Sequence, residues 1–256
     1  MKYRHLTNKP NYADFASGKV LLGLPGHVAT PLRLMDELFQ SGLEILRAGG
    51  LNEPVTLYDP CCGTACHLAA LAFLHGPSIA SLLASDVNAD VLAIARRNLD
   101  LLTPAGLEAR MAALRQAYTA YGKSSHREAL EAAGRLKAHL ERSAGREIKT
   151  QVFEADIFGV DPQAKMASPG EVALVLSDLP YGQGSRWQAP WLEMGVAMPD
   201  SRLATRWLSA LEPSLRSDAV ICLLAPKTIK LSHHRFRVAR HFQAGHRSGM
   251  ILQRSN

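Results

Sequence analysis

Four carboxylates stand at the ends of short apolar runs: Asp59 after Val55, Asp86 after Ile79, Asp156 after Lys149 and Asp178 after Val172. The first opens Asp59-Pro-Cys-Cys-Gly-Thr-Ala65. Gly63 there lets the backbone turn sharply and come close to a bound molecule. A lone glycine, with Ala65 at the third small position, does not make the G-x-G-x-x-G cradle of a pyrophosphate. A carboxylate ending the second run can accept both hydroxyls of a ribose. One ending the third run can accept an adenine amino group. A lone Asp at such a place is more often a helix cap. Three in order after a glycine turn match a different demand: a sulfonium cation, a ribose diol and an adenine, with no phosphate. That is the chemistry of S-adenosylmethionine (SAM). The predicted cofactor-binding set is Asp59, Cys61, Gly63, Thr64, Asp86, Val87, Asp156 and Ile157.

The fourth run ends in Ser177-Asp178-Leu179-Pro180-Tyr181-Gly182. An acid, an apolar residue, a proline and an aromatic suit methyl transfer to a planar nitrogen. Asp178 can accept an N–H, and a carbonyl held by rigid Pro180 can accept another, drawing electron density onto the nitrogen. Tyr181 offers a face on which a base can stack. Asp178, Leu179, Pro180 and Tyr181 form the predicted catalytic set. For a ring nitrogen that must lose its proton, Asp178 is the acceptor. For an exocyclic amine it only orients and polarises, and these residues do not separate the two cases. Gln183-Gly-Ser-Arg-Trp187 reads either as a lid over the base or as a surface loop.

These groups need a frame. Val55–Asp59, Ile79–Asp86, Lys149–Asp156, Val172–Asp178 and Ala219–Leu224 read as strands, with Phe236–Phe242 and Ser248–Gln253 as two more. Helical periodicity marks residues 66–75, 89–102 (with Asn88 as N-cap) and about 202–211. The alternation predicts an α/β, doubly wound, Rossmann-like fold with a seven-stranded, mostly parallel sheet. One domain over 1–256 is expected. Two pieces stand outside the alternation: an N-terminal accessory segment at 1–54, with a helix at about Pro31–Arg47, and a helical insertion at 103–147 broken near Tyr121-Gly-Lys-Ser-Ser125. That insertion carries eight Lys or Arg against five acidic residues.

The formal net charge is +6, unevenly spread. From Lys227 to Asn256 there are seven Lys or Arg, four His and no acid, whereas 151–225 holds nine acids and five bases. A basic tail beside an acidic middle suggests a polyanion docked next to a separate chemical site. Arg186, Trp187, Lys227, Lys230, Arg235, Arg237 and Arg240 form the predicted RNA-binding set. The four cysteines, three of them at Cys61, Cys62 and Cys66, read as free thiols in a reducing cytoplasm, and no metal site is expected. No apolar run reads as a signal peptide or a membrane span, so a cytoplasmic location is expected.

Asp59-Pro-Cys-Cys-Gly63, Ala84-Ser-Asp-Val87 and Ser177-Asp-Leu-Pro-Tyr-Gly182 resemble SAM-dependent methyltransferases that modify exocyclic or ring nitrogens. The last is similar to their Asp/Asn-Pro-Pro-Tyr signature, with Leu179 for the first proline. The chain most resembles the avilamycin-resistance 23S rRNA methyltransferase (AviRa) family. The likeness includes Tyr3-Arg-His5, the stretch from Pro25-Gly26 to Phe39-Gln40, and Leu102-Thr-Pro-Ala-Gly-Leu107. It implies methylation of guanine N1 in 23S rRNA or a large-subunit precursor, by a monomer, and resistance to orthosomycin antibiotics. Thr64-Ala65-Cys66 departs from the family's usual Ser-Gly-aromatic, and the basic C-terminal end is less alike. Two other readings stay open: a DNA or protein-glutamine N-methyltransferase, and a catalytically silent RNA-binding scaffold.

Overall fold

The computed structural model describes residues 3–255, apart from positions 9 and 17 and residues 25–29, 143–146, 181–186 and 189–197. Seven strands form one sheet in the order β3-β2-β1-β4-β5-β7-β6. β1 (Val55–Asp59), β2 (Ile79–Asp86), β3 (Lys149–Glu154), β4 (Val172–Asp178) and β5 (Leu215–Pro226) run parallel. β6 (Phe236–Ala244) and β7 (Arg247–Arg254) form a hairpin whose second strand lies antiparallel to β5. β3 ends at Glu154, two residues before the expected boundary, so Asp156 sits in the following loop.

Successive strand residues face opposite sides of the sheet, and the core divides accordingly. Leu57, Leu82, Leu174, Leu176, Val220 and Cys222 pack under α1 (Leu32–Ala48), α2 (Cys66–His75) and α3 (Ala89–Asp100). Tyr58, Leu83, Val175, Ile221, Leu223 and Leu252 pack with Trp207, Leu208 and Leu211 of the last helix, here α6 (Asp200–Leu211). Strand order turns back between β1 and β4, where α/β sheets leave a crevice at their carboxyl edge. Among the described residues no helix is long and apolar enough to cross a membrane, and no group of three His, Cys, Asp or Glu is placed to hold a metal ion.

The insertion folds as α4 (Pro104–Tyr121) and α5 (Ser124–Arg142), with the break where Gly122 adopts φ +62°. Thr103 caps α4 by accepting the Gly106 amide at 3.0 Å, and Pro104 supplies a first-turn φ without needing a partner for an N–H. Two of the insertion's cations are spent on the N-terminal segment. Arg110 donates to the carbonyls of Val20 (2.9 Å) and Lys19 (2.7 Å), and Arg135 forks onto Asp14 with two 2.7 Å bonds.

Buried polar groups of the helices anchor the same segment. Glu37 on α1 accepts the amides of Arg4, His5 and Leu6. Asp36 accepts the Tyr12 hydroxyl at 2.6 Å and contacts His75 Nε2 at 2.7 Å. Asn98 on α3 is fully buried; its Oδ1 accepts the Leu22 amide, and its Nδ2 donates to the carbonyls of Leu22 (2.9 Å) and Thr64 (2.8 Å). One side chain thus ties the glycine turn to the N-terminal segment. Asn98→Ala leaves a buried amide and two carbonyls short of partners. The expected loss is about 3 kcal/mol of unfolding free energy, read from urea denaturation as a lower midpoint at unchanged slope.

Candidate active site

A cavity of about 630 Å³ opens at the carboxyl edge, over the β1–β4 turning point. Of the predicted cofactor set, Cys61, Gly63, Thr64, Asp86, Val87, Asp156 and Ile157 line it. The chain after β1 turns through Gly63 at φ +51° and Ala65 at φ +53°. A Cβ built on Gly63 would meet nothing within 4 Å, so glycine serves the turn there and not a close approach within the protein. Ala65 is the non-glycine residue in left-handed backbone among those described, a conformation that costs an L-residue about 1–2 kcal/mol.

Asp86 is held from both sides. Its Oδ2 accepts the Gly63 amide at 2.9 Å and its Oδ1 the Asn88 amide at 3.0 Å. Burial raises its pKa above the ordinary carboxylate value, against the pull of those amides. Asp156 accepts the Phe158 amide at 2.9 Å, which folds its loop against the cavity beside Ile157.

Asp59 plays a different part from the one expected. It is fully buried and absent from the cavity wall. Oδ1 accepts the Cys61 amide at 3.0 Å and the Ser177 hydroxyl at 2.8 Å, while Oδ2 lies 2.8 Å from His67 Nε2. That last contact is poorly aligned for a hydrogen bond. Asp59 therefore supports the site from beneath, and His67 is the residue that reaches the cavity. Leu179 also moves out of the predicted set. Its side chain is fully buried in the core under α6, and its amide donates to the Leu224 carbonyl at 2.9 Å. Asp178 and Pro180 do line the cavity. Tyr181 and Arg186 lie outside the described residues.

Asp178 uses its two oxygens unequally. Oδ2 accepts the Thr30 hydroxyl and Arg247 Nη1, the latter at 2.9 Å. Oδ1 is buried without a hydrogen-bond partner among the described residues. Burial raises this carboxyl's pKa, opposed by Thr30, Arg247 and His67. Across the cavity, Trp187 packs its ring 5.6 Å from that of Phe158. Among the described residues lining the cavity there is no Lys or Arg, against three carboxylates, Asp86, Asp156 and Asp178.

The family model for the rRNA methyltransferase AviRa matches residues 1–247. The chain belongs to the AviRa family. It is 36% identical over 253 residues, 98% of this chain and 95% of the other, to a protein named 23S rRNA (guanine(2535)-N(1))-methyltransferase from Streptomyces viridochromogenes. Two solved structures of the rRNA methyltransferase aviRa from that organism, at 2.4 Å and 1.5 Å, match with TM-score 0.81. Their identities are 33% and 32%, and each comparison covers 98% of this chain and 96% of the other.

In this AviRa-family chain the basic tail is not one patch. Lys227 follows Pro226 at the carboxyl edge, with Lys230 close behind, and both are exposed. Arg237 is level, through Gln253 and Val220, with Leu174, about 13 Å back along the strand from Asp178. Arg235 lies further back, 3.6 Å from Glu212. Arg240 donates to Glu44 at 2.6 Å, and Glu44 also contacts Arg4 and His5. The hairpin reverses direction, so residues adjacent in sequence are dealt to opposite ends of the sheet. Sequence reading passed over Thr30 and Arg247, whose partner Asp178 lies far along the chain, and His67, which faces Asp59 from the next helix. A double Lys227→Ala/Lys230→Ala variant is expected to weaken rRNA binding and flatten its logarithmic salt dependence by about 1–2. Arg237→Ala is expected to change the slope less. Filter binding across a salt series compares them.

Proposed function

We propose that this chain transfers a methyl group from SAM to ring N1 of a guanine in 23S rRNA. The observation that carries the reading is Asp178: a mostly buried carboxylate on the cavity wall, with one oxygen tied down and the other without a hydrogen-bond partner among the described residues. Membership of an rRNA methyltransferase family and the name of the 36% identical relative support the choice of substrate.

The cavity suits the donor. A wall with three carboxylates and no described Lys or Arg favours a sulfonium cation and disfavours a phosphate. Asp86 would accept the ribose hydroxyls, and Asp156 the adenine amino group. Val87 and Ile157 would flank the adenine ring. SAM supplies a methyl carbon made electrophilic by the positive sulfur.

The residues then divide the labour on the acceptor. Guanine N1 carries a proton, so its lone pair is available only as that proton leaves. Asp178 Oδ1 would take it, directly or through one water. Thr30 and Arg247 hold the carboxylate still through Oδ2. Pro180 and Trp187 shape the place where the base enters. Lys227 and Lys230, at the same edge, would hold the phosphate backbone. The substrate implies a location with the ribosome, in the cytoplasm, and the family resemblance implies resistance to avilamycin-type antibiotics.

Four measurements test this reading. Asp86→Ala removes the ribose acceptor and is expected to weaken SAM binding about 100-fold in calorimetry. Asp178→Asn is expected to lower labelled methyl transfer to 23S rRNA by about 10²–10⁴-fold while SAM still binds. Because burial raises the Asp178 pKa, wild-type rates should climb with pH along a limb above the ordinary carboxylate range and fall away below it. Primer extension on rRNA from cells with and without the gene should show one new stop at a guanine. Transfer to DNA or protein in place of rRNA would overturn the substrate assignment.

A further inference from the structure

We propose that Arg247 and Asp178 form a guanine-reading pair, in which the guanidinium donates to O6 of the target base while Asp178 Oδ1 receives the proton of N1. The inference rests on the guanine-N1 reading above and assigns Arg247 the selection of guanine and part of the rate.

Placement comes from the hairpin. β7 is antiparallel to β5, so its first residue, Arg247, stands opposite Pro226 at the carboxyl edge of the sheet. β5 lies between β7 and β4, and the Arg247 side chain crosses its end to meet Asp178, 2.9 Å away. Both side chains are mostly buried, 19% and 16% exposed, and Asp178 lines the cavity. A guanidinium carries five N–H donors, so one Arg can serve a carboxylate and a base oxygen together. The other groups facing Asp178 are Thr30 from the N-terminal segment, His67 from α2 and Asp59 from β1.

The pair presents an acceptor beside donors. Guanine offers the complement on its Watson–Crick edge, the N1–H donor next to the O6 acceptor. Adenine offers an acceptor at N1 next to an amino donor, so it would set donor against donor and leave buried groups unpaired. The same geometry helps the chemistry. The N1–H bond breaks, the proton goes to Oδ1, and the electron pair left on the ring is shared between N1 and O6. That pair forms the new bond from N1 to the methyl carbon as the carbon–sulfur pair returns to sulfur. A fixed cation beside O6 stabilises the charge that develops there.

The test compares wild type, Arg247→Gln and Arg247→Lys on 23S rRNA carrying either guanine or 6-thioguanine at the methylated position, since sulfur is a poor acceptor. Calorimetric SAM binding confirms that each variant is folded. Arg247→Gln is expected to lower kcat on guanine about 100-fold, with KM little changed and the rising limb of the pH profile moved to higher pH. Arg247→Lys should recover part of kcat. Wild type should lose rate on 6-thioguanine, and Arg247→Gln should not. A wild-type rate and limb in Arg247→Gln, or an undiminished sulfur penalty in both variants, would overturn the pairing while leaving the guanine-N1 reading intact. A wild-type enzyme that labels no guanine in rRNA would overturn both.

Discussion

The site is organised around one fully buried carboxylate, Asp59, that does not line the cavity. β1 and β4 pair at Leu57–Leu174 and Tyr58–Val175, and past that ladder the crevice opens. Asp59 spans the opening. It binds Ser177 of β4, the Cys61 amide of the glycine turn, and faces His67 on α2. A buried carboxylate without such partners would be costly. With them it fixes three elements relative to one another at the point where the strand order reverses. The turn through Gly63 then delivers an amide to Asp86, and Ser177 is the neighbour of Asp178. Two acids of the cavity wall are therefore placed by an acid that is not on it.

The electrostatics of the cavity run against those of the chain. A protein of net charge +6 keeps Lys and Arg off the described wall of its main cavity and puts three carboxylates there. Burial pushes Asp86 and Asp178 toward their neutral forms. A bound cation would favour their ionised forms. Arg247 moderates Asp178 further through Oδ2 and leaves Oδ1 without a partner among the described residues. The exposed Lys227 and Lys230 stay off the cavity wall.

What could be read from the residues in order was local. The apolar runs ending in Asp86 and Asp178 became strands in the expected places, and the insertion broke at Gly122 as its composition indicated. Two side chains were assigned to surroundings that the structure does not give them. Leu179 follows the last residue of β4, its amide donates to the Leu224 carbonyl of β5, and its side chain enters the core. Asp59 ends a strand as its counterparts do, but it is fully buried: Oδ1 accepts the Ser177 hydroxyl of β4 and Oδ2 faces His67 of α2, so it does not line the cavity. Thr30 and Arg247 meet Asp178 from 148 and 69 residues away, and no spacing rule in a single sequence links such positions. The charge count along the tail was correct, but a hairpin converts a run in sequence into two ends in space.

The pieces outside the alternating strands and helices bear directly on the chemistry. Phe15, Leu24 and Thr30 come from the N-terminal segment and line the cavity, so part of its wall is not sheet edge at all. Short segments without a core of their own hold such positions only if their backbone groups are satisfied elsewhere. Here Glu37, Asn98 and Arg110 supply those partners from α1, α3 and α4. The insertion carries eight Lys or Arg, yet Arg110 and Arg135 bind the protein's own N-terminal segment. Its first consequence is therefore indirect. By holding Asp14, Lys19 and Val20, the helical hairpin docks onto the protein the same N-terminal segment whose Thr30 bonds Asp178 on the cavity wall.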